Sequence, residues 1–155
     1  MWKLRWAKLS LFSISLLAAG CGPRSQSLQI DGIQAEIWVE DALVRIDQPI
    51  ELRFSVTNEN SVPIQLAGPE AGPAADLVVR VPDPSRGWVQ VWRWSQDNAA
   101  SSLVQLAPGE SLTLKGTWAL SADLNSDAVI VVGLVGYAGR THEVSVGIAE
   151  TLGTF

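Results

Sequence analysis

Few residues in this chain are of the types that do catalysis, and none are spaced for it. His142 is the only histidine and Cys21 the only cysteine. A nucleophile needs a neighbouring base, and that base needs an orienting partner. No Gly-x-Ser-x-Gly elbow occurs, and His142, at a strand start after Gly139-Arg140-Thr141, reads as an exposed side chain without a triad or metal role. Asp123-Leu124-Asn125-Ser126-Asp127 sets oxygen ligands at alternate positions, as a calcium loop begins. Its sixth position is Ala128 instead of glycine, and its twelfth is Leu134 instead of a bidentate glutamate. Ordinary turn chemistry of Asp and Asn accounts for it. The expectation is a protein without a metal or other cofactor and without enzymatic activity. Trp88, Trp92 and Trp94 are the remaining chemical feature. On a regular strand they share one face, with Gln90 between them and Val89, Val91 and Arg93 opposite. Such a row is either a packed sheet face or an exposed platform that stacks on sugars.

The thiol of Cys21 has a different use. Lys3, Arg5 and Lys8 precede a short apolar run, Leu9 to Leu17, and then Leu17-Ala18-Ala19-Gly20-Cys21. That run is too short to span a hydrocarbon core, and small residues before the cysteine suit a peptidase pocket. The order resembles a bacterial lipoprotein signal, which implies a helical leader at 1–20, cleavage before Cys21 and lipid on its sulfur. With one cysteine no intramolecular disulfide can form. The expected location is the cell envelope, extracytoplasmic, with the chain held to a membrane by acyl groups. The leader carries three of the 11 basic residues and none of the 16 acidic ones, so the remainder is more acidic than the whole chain's net charge of −5. That balance disfavours nucleic acid, whose phosphates reward clustered Lys and Arg.

The rest, about 135 residues, is one domain's worth. Gly22-Pro23-Arg24-Ser25-Gln26-Ser27 has no apolar period and reads, with Cys21, as a short tether over 21–27, leaving 28–155 as the domain. Period-two alternation dominates from there. It predicts strands over Ile33 to Glu40, Ile50 to Thr57, Ser111 to Trp118 and Glu143 to Ile148. Ala128 to Val135 is apolar on both faces, as in a central strand covered on both sides. Further strands are expected at Val62 to Leu66, Asp76 to Val81 and Trp88 to Ser95. Turn residues separate these runs, among them Asn58-Glu59-Asn60-Ser61, Ala107-Pro108-Gly109 and Tyr137-Ala138-Gly139-Arg140. Short strands at near-regular intervals predict an all-β, immunoglobulin-like antiparallel sandwich; a small closed barrel is the alternative. Gly68-Pro69-Glu70-Ala71-Gly72-Pro73 is the longest run of turn residues inside the domain, and reads as a protruding loop of defined shape that presents a candidate partner-binding surface.

The order of motifs adds a family. Phe54-Ser55-Val56-Thr57-Asn58, Val62-Pro63-Ile64, Asp76-Leu77-Val78-Val79, Val91-Trp92-Arg93-Trp94-Ser95, Leu106-Ala107-Pro108-Gly109-Glu110-Ser111 and Gly116-Thr117-Trp118 follow one another. This order resembles the BsuPI family of bacterial intracellular proteinase inhibitors over roughly Ile50 to Val135. The resemblance implies an immunoglobulin-like sandwich and, for the namesake, inhibition of a serine protease. The namesake works inside the cell, whereas the start of this chain resembles an export signal. The leading expectation is a monomeric, membrane-anchored sandwich that binds a protein partner, a protease or another envelope protein. The alternatives are a carbohydrate- or envelope-binding module using the tryptophan row, and a structural envelope lipoprotein.

Overall fold

Residues whose side chains alternate in polarity pair here through their backbones into two facing sheets. The computed structural model describes residues 22–124, 126 and 128–150; the leader expected at 1–20 and Cys21 lie outside the described residues. The strands are β1 (Arg24–Ile30), β2 (Ile33–Val39), β3 (Leu43–Val44), β4 (Pro49–Asn58), β5 (Ile64–Ala67), β6 (Ala75–Asp83) and β7 (Gly87–Arg93). A single helical turn, α1 (Trp94–Asp97), precedes β8 (Leu103–Leu106), β9 (Ser111–Ala119), β10 (Ala128–Tyr137) and β11 (Arg140–Glu150). One sheet has the order β1-β2-β4-β9, the other β3-β11-β10-β6-β7, and β5 pairs with β8 alone. Among the described residues neither large sheet closes on itself or on the other, so the fold is the immunoglobulin-like sandwich and not a closed barrel.

The core is the inward half of each alternating run. Ile33, Ile37, Leu52, Phe54 and Val56 of the first sheet meet Leu77, Val79, Val131 and Val135 of the second, all at 1% exposure or less. Each such side chain contributes about 2 kcal/mol by leaving water. The ring of Phe54 lies where a side chain on β10 would be: a Cβ at Gly133 would stand 2.2 Å from Phe54 Cδ2. On the outer face of the second sheet Val78 and Val132 are also buried, although among the described residues no third layer covers them. Arg80 of β6 reaches across β10 to Glu143 of β11 in a two-pronged pair at 3.0 and 3.2 Å, and such a strap covers Val132. The two-sided apolar pattern of β10 therefore has a charged bridge behind one side.

Two expectations change. The tether is largely absent: Arg24 to Ile30 form an edge strand on β2. Its side chains are exposed for five consecutive residues, so it is held by backbone hydrogen bonds and leaves no periodic trace in the sequence. The tryptophan row is also broken. Val79 stands opposite Trp92 but Arg80 stands opposite Gln90, so Val91 is a bulge. One extra residue reverses the alternation. Trp92 therefore shares the inner face of Val79, while Trp88, opposite Pro82, points outward at 49% exposure.

The register also gives the sandwich two distinct ends. The Ala42 N–H donates to Gly22 O and the Ala149 N–H to Ala42 O, and Ala149 pairs with Ala128, where β10 begins. Residue 22 thus lies at the start of β10. The turns at Asp31, Asn58 and Ala138 lie at the other end, about 30 Å away over a ten-residue strand.

Candidate functional site

Loops at the end remote from residue 22 are tied into one surface. Gly68 N–H donates to Ser102 O and Ala74 N–H to Ser101 O, at 3.0 and 2.8 Å. The predicted loop Gly68 to Pro73 is therefore fastened at both feet to the segment 98–102. Between them Pro69–Ala71 makes one 3-10 turn, closed by Gly72 N–H to Pro69 O at 2.7 Å. Pro69, Glu70 and Ala71 are exposed. Glu70 and Ala71 both lie in the left-handed region, at φ 46° and 62°, which costs on the order of 1 kcal/mol per residue. A backbone so curled is not an extended strand; it projects as a knob. The segment 96–102 beside it is exposed throughout, and Asn98 is extended (φ −133°, ψ 150°). Sequence reading passed over this segment, whose one signal is the small-residue run Ala99-Ala100-Ser101-Ser102.

Clefts flank the knob. One of about 340 Å³ lies between Pro69 and the β10–β11 turn, lined also by Gln65, Tyr137, Arg140 and Thr141. Another of about 200 Å³ lies on the other side of Pro69 and reaches Pro73, Asp76, Arg93 and Leu134. Val62 and Leu103, 60% and 53% exposed, add apolar surface nearby.

Buried polar groups hold these loops in place. Asn58, fully buried, donates from Nδ2 to Val62 O (2.9 Å) and Leu106 O (3.0 Å), and accepts from Asn60 N–H at Oδ1 (2.9 Å). It therefore staples the β4–β5 loop to the end of β8. Asp76, 1% exposed, accepts from Leu77 N–H, Ser95 N–H and Ser95 Oγ–H at 2.9, 3.1 and 2.7 Å, with Arg93 Nε at 3.1 Å from Oδ2. The arginine contact is an ion contact without the alignment of a hydrogen bond. Trp94 Nε1–H donates to Lys115 O at 2.8 Å, Trp92 Nε1–H to Asp97 Oδ2 at 3.2 Å, and the Trp92 ring packs over Gly116. These two indoles seal the seam between β7 and the free edge of β9. Trp88, Trp92 and Trp94 are thus not brought together as a platform. The motifs that suggested a family prove to be its joints.

The other candidates are placed as follows. His142 is half-buried rather than exposed, with Nε2 3.3 Å from Tyr137 O; among the described residues no carboxylate orients it. The calcium-like run is a 3-10 turn over Ala122–Leu124, and Asn125 and Asp127 lie outside the described residues. Among the described residues no three metal-ligating side chains cluster. Asp83 caps the β6–β7 turn: Oδ1 accepts from Ser85 Oγ–H (2.7 Å), Ser85 N–H (2.9 Å) and Arg86 N–H (2.9 Å). The Ser85 hydroxyl foremost, then the two amides, hold its pKa below the ordinary 3.8, against a small opposing desolvation. A depressed carboxyl stabilises the turn above its ordinary pKa, and that support is lost as pH falls through the lower folded value. Ser85→Ala should raise the Asp83 titration midpoint toward 3.8 when followed by NMR; an unmoved midpoint would discount the hydroxyl.

Comparison with known proteins places the chain. The sequence model of the BsuPI family, described as intracellular proteinase inhibitor, matches residues 37–131, more than half of the chain. No curated protein matches significantly. Among solved structures, the alkylpurine DNA glycosylase AlkC of Pseudomonas fluorescens, bound to DNA containing an abasic site analogue, is similar at 13% identity and a TM-score of 0.47. The match covers 72% of this chain and 28% of that one, so the chain spans little more than a quarter of the glycosylase. A CARDB domain from Pyrococcus furiosus, solved with di-metal ions, is similar at 11% identity and a TM-score of 0.43, over 85% of this chain and 88% of that one. The family model begins within β2, ends within β10 and takes in the Asn58 staple, the Asp76 carboxylate and the Trp92–Trp94 seam. The chain belongs to the BsuPI family of intracellular proteinase inhibitors.

Proposed function

We propose that this protein is a non-enzymatic binding module, anchored to a bacterial membrane through lipid on Cys21, that restrains a protease outside the cytoplasm. The loop Gly68 to Pro73 and the segment fastened to it form the contact surface. The observation that carries this reading is the polarity of the sandwich. Residue 22, next to the expected lipid, and the strained knob at Glu70 and Ala71 sit at opposite ends of β10. An anchored inhibitor needs that arrangement, because its contact surface must face away from its membrane. A loop already fixed by Gly68, Gly72 and Ala74 hydrogen bonds also loses little conformational freedom on binding. The alternative of a sugar platform has no continuous indole surface to support it, since the bulge at Val91 sends Trp88 and Trp92 to opposite faces.

The test is inhibition of subtilisin-type and envelope serine proteases by the full chain in detergent. Dose-dependent inhibition at micromolar protein is expected. Replacing Glu70 and Ala71 together by glycine relieves the left-handed strain and frees the loop, and should weaken inhibition about tenfold without unfolding the domain. Absence of inhibition across the panel, or a loop variant as potent as the parent, would refute the proposal.

A further inference from the structure

We infer that the end of the sandwich around residue 22 is itself a lipid-contacting surface, which lays Ile46 and Trp88 into the headgroup boundary of a zwitterionic bilayer. The inference rests on the reading of Cys21 as lipidated.

Chain geometry leaves the domain nowhere else to go. Gly22 O is fixed to Ala42 N–H at 3.0 Å, β1 starts at Arg24, and Arg24 donates from Nη1 to Gly147 O at 3.1 Å. Cys21 is the next residue, and consecutive Cα atoms are about 3.8 Å apart. An acyl group on that sulfur leaves the protein beside the segment 40–43, with no slack to let the body float free. A flexible stretch over 21–27 would have allowed about 20 Å of separation. The strand takes that freedom away.

Surface chemistry at this end fits what the lipid would bring it against. Ile46 is 46% exposed, just past β3 and bridged to Leu120 at the end of β9. Trp88 is 49% exposed and pairs with Pro82, two residues beyond the Arg80 that stands opposite Ile130. Trp88 is therefore level with Ala128, and hence with Ala149 and Ala42. Tryptophan is the side chain that the bilayer boundary favours, with an apolar ring and one N–H to keep wet. The Val91 bulge turns this indole out of the sandwich while Trp92 stays in. On the Ile46 side of this end, where the chain passes from β2 through β3 to β4, a cleft of about 340 Å³ is lined by Arg45, Glu40 and Asp41. A guanidinium without an ion pair among the described residues, set beside two carboxylates, complements a headgroup that carries both a phosphate and an ammonium. Glu40, Asp41, Asp47, Asp83 and Asp123 outnumber Arg24, Arg45 and Arg86 at this end, so its sign is acidic and anionic headgroups oppose this docking.

The lipidated protein, its modification verified by intact mass, is placed in phosphatidylethanolamine–phosphatidylcholine vesicles containing brominated acyl chains, and tryptophan quenching is read. Quenching is expected in the parent. It should fall by about half or more in Trp88→Phe and in Ile46→Asp, both exposed positions whose replacement leaves the core intact. Replacing part of the phosphatidylethanolamine by phosphatidylglycerol should reduce it. A lipidated protein that shows no quenching, or equal quenching in Trp88→Phe, overturns the docking surface and leaves the anchor standing. An unmodified Cys21 in the mass spectrum overturns both.

Discussion

Replacing Asp76 by alanine is expected to destabilise the domain by about 3 kcal/mol, among the largest effects of any single side-chain truncation here. The carboxylate is 1% exposed and joins three elements: β6, on which it lies, the end of β7 through Arg93, and α1 through Ser95. Alanine leaves the Ser95 amide and hydroxyl and the Leu77 amide without their acceptor, and leaves Arg93 Nε buried beside a void. Each stranded donor costs about 1–3 kcal/mol. Some of this is recovered because the Arg93 side chain is 35% exposed and its head can turn to water. Asp76→Asn keeps the shape and one acceptor oxygen, so about half the loss is expected. Urea denaturation followed by fluorescence reads both variants. A loss below about 1 kcal/mol for alanine would show that the carboxylate contributes no more than a surface pair. Because Trp94 and Ser95 begin the turn that carries the segment 96–102, the alanine variant should also weaken the proposed protease binding, whereas the core around Phe54 should stay packed.

Residues whose environment is set by their own strand were legible in the sequence; residues whose environment is set by another strand were not. Ile50, Leu52, Phe54 and Val56 announce β4 by period alone, and the structure buries all four. Arg24 to Ile30 announce nothing, because an edge strand exposed on both faces has no pattern to show. Trp88, Trp92 and Trp94 look collinear until Val91 is displaced from its pairing, and a bulge is a property of two strands. Asn58 reads as a turn residue, and it does end β4, yet its stabilising role lies in reaching Leu106, 48 residues away. The loop Gly68 to Pro73 was visible from composition, while its partner at 98–102 was hidden, since small residues fit many structures. Alternation carried the fold, and the family motifs carried the joints. The proposed contact surface is the part least written in either, because exposed loops are constrained by what they bind more than by what they cover.

Gly136→Ala should separate folding from function at that surface. A Cβ at residue 136 would stand 1.9 Å from Ala67 O, 2.7 Å from Ala67 C and 3.2 Å from Gly68 Cα, all backbone atoms. No side chain can swing aside, so either β10 or the start of the Gly68 to Pro73 loop must move. The Gly136 N–H also donates to Ala74 O at 2.9 Å, at the other foot of the loop, so a shift at either foot disturbs both. Overpacking against a fixed backbone costs about 2–3 kcal/mol, which for a domain of this size lowers Tm by about 8 °C. The proposed inhibition should weaken more than tenfold at temperatures where the variant remains folded, since the knob is displaced. Gly147→Ala is the matched control. It adds the same methyl to β11, where nothing lies within 4 Å. There, the reduced freedom of the unfolded chain should raise stability by about 0.5 kcal/mol with inhibition unchanged. Equal effects from the two substitutions would mean that glycine at 136 serves strand formation alone, and that the loop tolerates movement of its feet.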